Sequence, residues 1–135
     1  MPAATQDVVR PRRAGPEFGY PVAANARVWR DTLAAIRADG TLVPAGTAGG
    51  VAVVGLPEQT VDNRDGPAPS APVRCRRGVF AFAAVGVAPA SIGAVVYALD
   101  DNTVTTDGTG GRLRAGVVVG IEAVPGAPGA AWVEV

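Results

Sequence analysis

The chain is predicted to adopt an all-β fold preceded by an extended N-terminal arm. Between Val73 and Val119, short apolar runs rich in Val and Phe alternate with residues that favour tight turns. Several such runs separated by turns are typical of barrels and sandwiches. Proline recurs in the first part of the chain and sets it apart. The sequence therefore predicts a small closed or nearly closed β-barrel or β-tulip-like domain over residues 26–135, with an arm over residues 1–25.

The arm is predicted because proline disfavours both the interior of a helix and the ladder of a sheet. Its prolines are Pro2, Pro11, Pro16 and Pro21. Phe18 and Tyr20 are its large apolar side chains and would anchor the arm if it docks on a partner. Arg10, Arg12 and Arg13 form a basic cluster. The same composition also fits a disordered tail.

Two interpretations fit residues 27–39. The spacing of the apolar residues permits a short amphipathic helix that a glycine at position 40 would cap. Asp39-Gly40 between two apolar runs is instead a strong hairpin signal. Further on, Val51–Val54 is predicted to be a strand, and residues 57–72 a long polar surface loop.

A single strand is predicted over Val73–Phe82, with a change of phase at Gly78. Cys75 would point inward, and Arg74 and Arg76 outward. The two arginines suit either a solvated face or a cationic stripe that pairs with acidic groups on a partner. Cys75 is interpreted as a small core residue, since the chain has no histidine that could activate it.

A hairpin is predicted where Val95–Leu99 runs into the polar turn Asp100–Asn102 and on to Thr103–Thr105. Asp107–Gly111 supplies a second turn, because glycine and aspartate tolerate positive φ. The strand pattern resumes over Arg112–Val119. A last turn at residues 125–129 and a closing strand at residues 131–135 complete the domain.

Composition limits the core and the partners. Hydrophobic residues make up 48% of the chain but aromatic residues only 5%, so the core is built from small side chains that each bury little area. Association with copies of itself or with a larger surface would add burial. Formal net charge is zero, with 12 arginines and no lysine, which argues against a nucleic-acid binder. No apolar run reaches the length of a membrane span, and no secretory signal is seen at Met1, so synthesis in a cytoplasm is expected.

The residue types in the chain give little support for catalysis or for metal binding. The acidic turn at residues 100–102 lacks the spacing of a calcium loop. The glycine cluster at residues 107–111 is followed by no predicted helix and no lysine, which excludes a P-loop. Ser70 and Ser91 lie in no nucleophile elbow, and a triad without histidine lacks its usual base. We predict a protein that is not an enzyme and has no cofactor or metal.

A series of motifs from Val61 to Glu134 carries a family resemblance. These motifs are Val61-Asp62-Asn63, Arg76-Arg77-Gly78-Val79-Phe80-Ala81-Phe82, Ile92-Gly93, Tyr97-Ala98-Leu99-Asp100-Asp101-Asn102-Thr103-Val104, Thr106-Asp107-Gly108-Thr109-Gly110, Ala115-Gly116-Val117-Val118-Val119 and Trp132-Val133-Glu134. In this order they resemble the head decoration, or capsid cement, proteins of tailed bacteriophages and prophages. The resemblance covers roughly the last two thirds of the chain, from Gly49-Gly50 onward. It favours the hairpin over the helix at residues 27–39.

The resemblance implies a virion protein that binds the outer surface of the assembled head and stabilises it by bridging subunits of the major capsid protein. It also implies a homotrimer. The zero net charge and the lack of a membrane-length apolar run predict that there is no nucleic-acid or membrane partner. The residues predicted to contact the capsid or a neighbouring copy are Arg10, Arg12, Arg13, Phe18, Tyr20, Arg74 and Arg76. We further expect Val8–Tyr20 to be mobile in the free protein and to order on the capsid or on a neighbouring copy as an added strand.

The rival hypothesis is a ligand- or glycan-binding β-barrel on the virion surface. Such a protein needs exposed aromatic platforms for its ligand. Outside the arm the candidates are Trp29, Tyr97 and Trp132, which the sequence analysis interprets as core or edge filler.

Overall fold

The computed structural model describes residue 15, residues 17–121 and residues 130–135 of the chain. Over these residues the chain forms β-strands and one short 3-10 turn at Pro89–Ser91, which confirms the predicted all-β fold. The strands are β1 (Phe18–Pro21), β2 (Arg27–Val28), β3 (Ala34–Arg37), β4 (Leu42–Pro44), β5 (Gly50–Pro57), β6 (Val61–Asp62), β7 (Pro72–Arg76), β8 (Val79–Val85), β9 (Val95–Ala98), β10 (Thr103–Thr105), β11 (Arg114–Ile121) and β12 (Ala131–Glu134). No helix within these described ranges is long and apolar enough to cross a membrane.

The strands form an open sheet, a closed barrel and a small ribbon. The open sheet has the strand order β1-β7-β5-β3-β4, and the ribbon pairs β2 with β6. The barrel closes in the order β10-β8-β12-β11-β9, so the predicted β-barrel is confirmed. Its pairs are antiparallel except β10 with β8, which run parallel.

Successive residues of the open sheet face two different cores. Ala35 and Val43 lie opposite each other in the register of β3 and β4, and both belong to the larger core. Ala34 and Leu42 point the other way, into a smaller core that the ribbon residue Val28 also joins. The larger core continues into the barrel through buried residues that include Phe82, Val96, Val104, Val118 and Val133. One face of the open sheet therefore packs against the barrel residues, and the domain has a continuous core across both sheets.

Local turn chemistry explains the two hairpins, both of which are confirmed. Gly40 has a φ of 84° between β3 and β4, and the Asp39 carboxylate accepts a 3.0 Å hydrogen bond from the backbone N–H of Thr41. Residues 27–39 are therefore not helical. Between β9 and β10, the backbone N–H of Asn102 donates to the Asp100 carboxylate at 2.8 Å.

Long-range pairing overturns two local predictions. The segment Val73–Phe82 is not one strand, because β7 belongs to the open sheet and β8 to the barrel, with Gly78 between them. The turn predicted at residues 107–111 is present at Gly110 and Gly111, and β11 follows it from Arg114 and pairs with β9 and β12. The polar connection at residues 57–72 contains the short strand β6. The last turn predicted at residues 125–129 lies outside the described residues.

The described part of the predicted arm is built into the β domain. Phe18–Pro21 forms the edge strand β1, which pairs with β7, and Val22 and Ala23 are fully buried. The expectation that Val8–Tyr20 is mobile in the free protein is therefore wrong for Phe18–Tyr20, because this segment already adds a strand to its own sheet. Residues 8–14 lie outside the described part, and the paired region begins before the boundary predicted at residue 25.

The side chain of Asn63 holds the chain together after β1. Its amide nitrogen Nδ2 donates to three backbone carbonyls, those of Val22 at 3.3 Å, Ala23 at 3.0 Å and Ala68 at 2.9 Å. The Asn63 backbone also bonds to Asn25 and Ala26 on either side of the same turn. One residue thus fixes the connection between β1 and the ribbon.

Replacing Asn63 with alanine is expected to lower the free energy of unfolding by about 1–3 kcal/mol, because three side-chain hydrogen bonds are lost. The carbonyls of Val22 and Ala23 keep their backbone donors, the N–H groups of Ser70 and Ala26. Urea unfolding followed by intrinsic fluorescence measures the change. Asn102→Ala is the matched control, since Asn102 is exposed and only its backbone N–H takes part in the turn described above. Equal unfolding midpoints for the two variants would contradict the role given to Asn63.

Candidate functional site

Two residues predicted to contact a partner, Phe18 and Tyr20, lie side by side on the edge strand β1. Their ring centroids are 6.3 Å apart. In the register of β1 and β7, Phe18 lies opposite Cys75, so both rings are on the side of the smaller core. Tyr20 packs against that core, whereas Phe18 remains 52% exposed. Phe18 is therefore the more available of the two for a partner.

The predicted cationic stripe is engaged within the chain. Arg74 and Arg76 do point away from Cys75, as predicted, but both have intramolecular partners. Arg74 forms an ion pair with Glu17 at 3.3 Å. Arg76 donates to the carboxylate of Asp31 at 2.7 Å, and its guanidinium lies 5.3 Å from the centroid of the Phe80 ring. Arg76 thus connects the open sheet to the barrel. The remaining predicted contacts, Arg10, Arg12 and Arg13, lie outside the described residues.

Cys75 is a core residue, as the sequence predicted. Its side chain is buried in the smaller core, and burial, together with the charge of Glu58, raises the pKa of its thiol to about 11. The thiol therefore stays protonated at neutral pH, and a protonated, buried thiol is a poor nucleophile.

The acidic turns are closed by their own hydrogen bonds. The Asp107 carboxylate accepts a 2.9 Å hydrogen bond from the backbone N–H of Thr109 and pairs with Arg112 at 3.2 Å. These contacts, the bonds from Thr109 first, lower the pKa of Asp107. Among the described residues, no group of three or more His, Cys, Asp or Glu side chains is placed to hold a metal ion.

The outward side of the barrel carries a largely apolar surface, which we call the outer barrel face, with the exposed Glu134 at its margin opposite Val79. Its members point away from the barrel interior on three neighbouring strands, β8, β12 and β11. They are Val79, Ala81, Ala83, Val85, Val119 and Trp132. Ala81 lies opposite Trp132, which in turn lies opposite Gly120, next to Val119 at a β-bulge. Val79, Val85 and Val119 are 50%, 53% and 44% exposed.

The apolar outer barrel face is unusual because β8, one of its strands, already packs its inner side against the core. The inward residues of β8, such as Phe82, fill the larger core. An antiparallel strand with one solvated side normally alternates apolar with polar residues, whereas β8 is apolar at every position. Exposed apolar patches of this kind commonly mark protein interaction sites. The sequence analysis missed this surface, although the uninterrupted apolar run in β8 signals it.

A second surface, a cleft between the ribbon and the end of the open sheet, was also missed. Its volume is about 580 Å³, and Trp29 and three arginines are among the residues that line it. Trp29 is 46% exposed, so the interpretation of this residue as core or edge filler is wrong. Tyr97 and Trp132 are partly buried on the barrel strands β9 and β12, each of which is paired on both sides.

Comparisons with protein-family models, with curated proteins and with solved structures find no match to this chain.

Proposed function

We propose that this protein is a capsid decoration protein that binds the outer surface of an assembled phage head and stabilises it by bridging capsid subunits. The observation that carries the proposal is the outer barrel face, where a strand with an already packed inner side is apolar outside as well. The resemblance of the ordered motifs from Val61 to Glu134 supports the same function.

The outer barrel face suits adhesion because the closed barrel beneath it makes it firm. A closed barrel has no free strand edge, so its outer surface changes little when a partner binds. Small side chains such as Ala81 and Ala83 allow close approach, and the larger valines around them add apolar area. A module seated at a junction of capsid subunits adds buried area to each of them, so separating the subunits must also remove the module.

On this proposal the partner is the major capsid protein. The decoration protein is synthesised in the bacterial cytoplasm and acts as a homotrimer on the virion. Phe18, exposed at the sheet edge, and the basic cluster Arg10, Arg12 and Arg13 add contacts to the capsid or to a neighbouring copy. No chemical step is involved. A homotrimer that engages three sites at one junction binds multivalently, so weak individual contacts give stable occupancy.

Heads of the encoding phage, assembled and expanded without this protein, provide the test. Added protein is expected to bind saturably at symmetry-related positions on the outside of the shell and to raise the temperature at which the heads release DNA. Cryo-electron microscopy and a DNA-release assay measure the two effects. Heads that show no additional density at saturating protein would overturn the proposal.

A further inference from the structure

The cleft between the ribbon and the open sheet combines positive charge, an aromatic ring and polar groups. The lining residues come from the segment around β2, from β3 and β4 with the loop that follows, from the loop after β6 and from the β9–β10 turn. They are Ala24, Asn25, Ala26, Arg27, Trp29, Arg37, Val43, Pro44, Thr47, Arg64 and Asp101. Its volume of about 580 Å³ falls within the range of small-molecule sites. No residue of the outer barrel face lines it.

The charges of the cleft are incompletely balanced. Arg64 forms a bidentate pair with Asp62, with Nε and Nη2 at 2.8 Å and 2.6 Å from the two carboxylate oxygens. Within the described part of the chain, Arg27 and Arg37 form no ion pair at 4 Å or less. Each has a carboxylate in its electrostatic neighbourhood, Asp62 for Arg27 and Asp39 for Arg37. A planar guanidinium that forms no ion pair is well suited to bind a carboxylate from a ligand.

The aromatic part of the cleft is held in place by Arg27. Its guanidinium carbon lies 4.1 Å from the centroid of the Trp29 ring, a cation–π contact that fixes both side chains. Nearly half of Trp29 is nevertheless exposed. Beside it, Pro44 supplies a small apolar wall. Arg27 covers one face of the Trp29 ring, so the exposed remainder of the indole is the surface on which a ligand ring can stack, next to positive charge.

Asp101 limits the class of ligand that the cleft can bind. Its carboxylate lines the same cleft as the arginines, so a phosphate or another fully anionic group would be repelled at that position. A carboxylate accepts hydrogen bonds from hydroxyl groups instead. A ligand that carries both hydroxyl groups and a carboxylate satisfies Asp101 and the arginines together.

From these contacts we infer that the cleft binds an acidic saccharide, with its carboxylate at the unpaired arginines and a sugar ring against Trp29. An acidic peptide that binds by strand addition fits less well, because it would need a free strand edge for its main chain. The outer edge of β4 is engaged by Val22 and Ala23, where the Ala23 N–H donates to the Leu42 carbonyl at 2.9 Å, and Pro44 has no N–H to offer. This inference goes beyond attachment to the capsid and does not depend on it.

The test uses the purified full chain and three probes: digalacturonate, its dimethyl ester and a penta-aspartate peptide. Isothermal titration calorimetry and ligand-observed NMR measure binding. Digalacturonate is expected to bind saturably at millimolar or lower concentration, and the uncharged ester at least roughly tenfold more weakly, since it lacks the charge-assisted hydrogen bonds. Trp29→Ala and Arg37→Gln are each expected to weaken digalacturonate binding by about tenfold.

Arg77→Gln is the matched control, because Arg77 is exposed, lies outside the cleft and carries the same charge. It is expected to bind digalacturonate like the wild type. Circular dichroism shows whether each variant folds. If Trp29→Ala does not fold, binding by Arg37→Gln still tests the inference. The inference is overturned if digalacturonate does not bind, if the ester binds equally well, if the peptide binds in its place, or if Arg77→Gln weakens binding as much as Arg37→Gln. Since no capsid is present, none of these outcomes bears on decoration of the head.

Discussion

Val119→Asp is expected to prevent the protein from occupying phage heads while leaving it folded. Val119 lies within the outer barrel face, next to the position opposite Trp132, and its side chain is 44% exposed at a bulge. A carboxylate there is solvated in the free protein but becomes buried without a partner when the face meets the capsid. Such burial costs several kcal/mol, so affinity should fall on the order of a hundredfold.

The matched control is Val51→Asp. Val51 is the same residue type, is 57% exposed and also lies in a strand, but that strand is β5 of the open sheet. Occupancy measured by co-sedimentation with heads should match the wild type for Val51→Asp and be absent for Val119→Asp. Equal binding by the two variants would show that the outer barrel face is not the contact surface. Thermal unfolding of both proteins excludes loss of the fold as the cause.

Local features of the fold could be predicted from the sequence because local chemistry determines them. The Asp39-Gly40 turn places a positive φ where glycine tolerates it and a carboxylate where a backbone N–H needs an acceptor. The inward position of Cys75 follows from alternation along one strand. The barrel class follows from many short strands separated by turns.

Pairing between distant strands could not be predicted from the sequence. Nothing near Gly78 says that β7 pairs with β1 and β5 while β8 pairs with β10 and β12. Alternation gives the phase of a strand but not its neighbours. The sequence therefore predicts one strand where the structure has two, β7 and β8.

The surfaces differ in how far they could have been predicted. The outer barrel face is visible in the apolar run of β8, because the residues on both sides of that strand are apolar. The cleft could not be foreseen, because Trp29, Arg37 and Arg64 come together only when β2 pairs with β6 beside the open sheet. The exposure of Trp29 depends on those distant neighbours and on the stacked Arg27.

Closure of the barrel depends on Gly116, and Gly116→Ala is expected to lower the free energy of unfolding by roughly 3 kcal/mol or more. Gly116 is buried on β11, which pairs with β9 on one side and β12 on the other. A Cβ at this position would collide with the carbonyl oxygen of Glu134 and lie 2.9 Å from Cγ1 of Val133. The collision involves backbone atoms of β12, so a change of side-chain rotamer cannot relieve it.

Gly120→Ala, on the same strand, separates this collision from the general effect of replacing glycine. A Cβ on Gly120 would have Cδ1 of Trp132 as its nearest neighbour, at 3.6 Å, which is ordinary contact. Because β11 joins β12 to β9, moving it away from β12 opens the ring of strands and uncovers buried residues such as Val118. Urea denaturation should therefore give a much lower midpoint for Gly116→Ala and one near the wild type for Gly120→Ala. Indistinguishable midpoints would mean that β11 can shift without opening the barrel, and that the close approach of Gly116 to β12 does not limit stability.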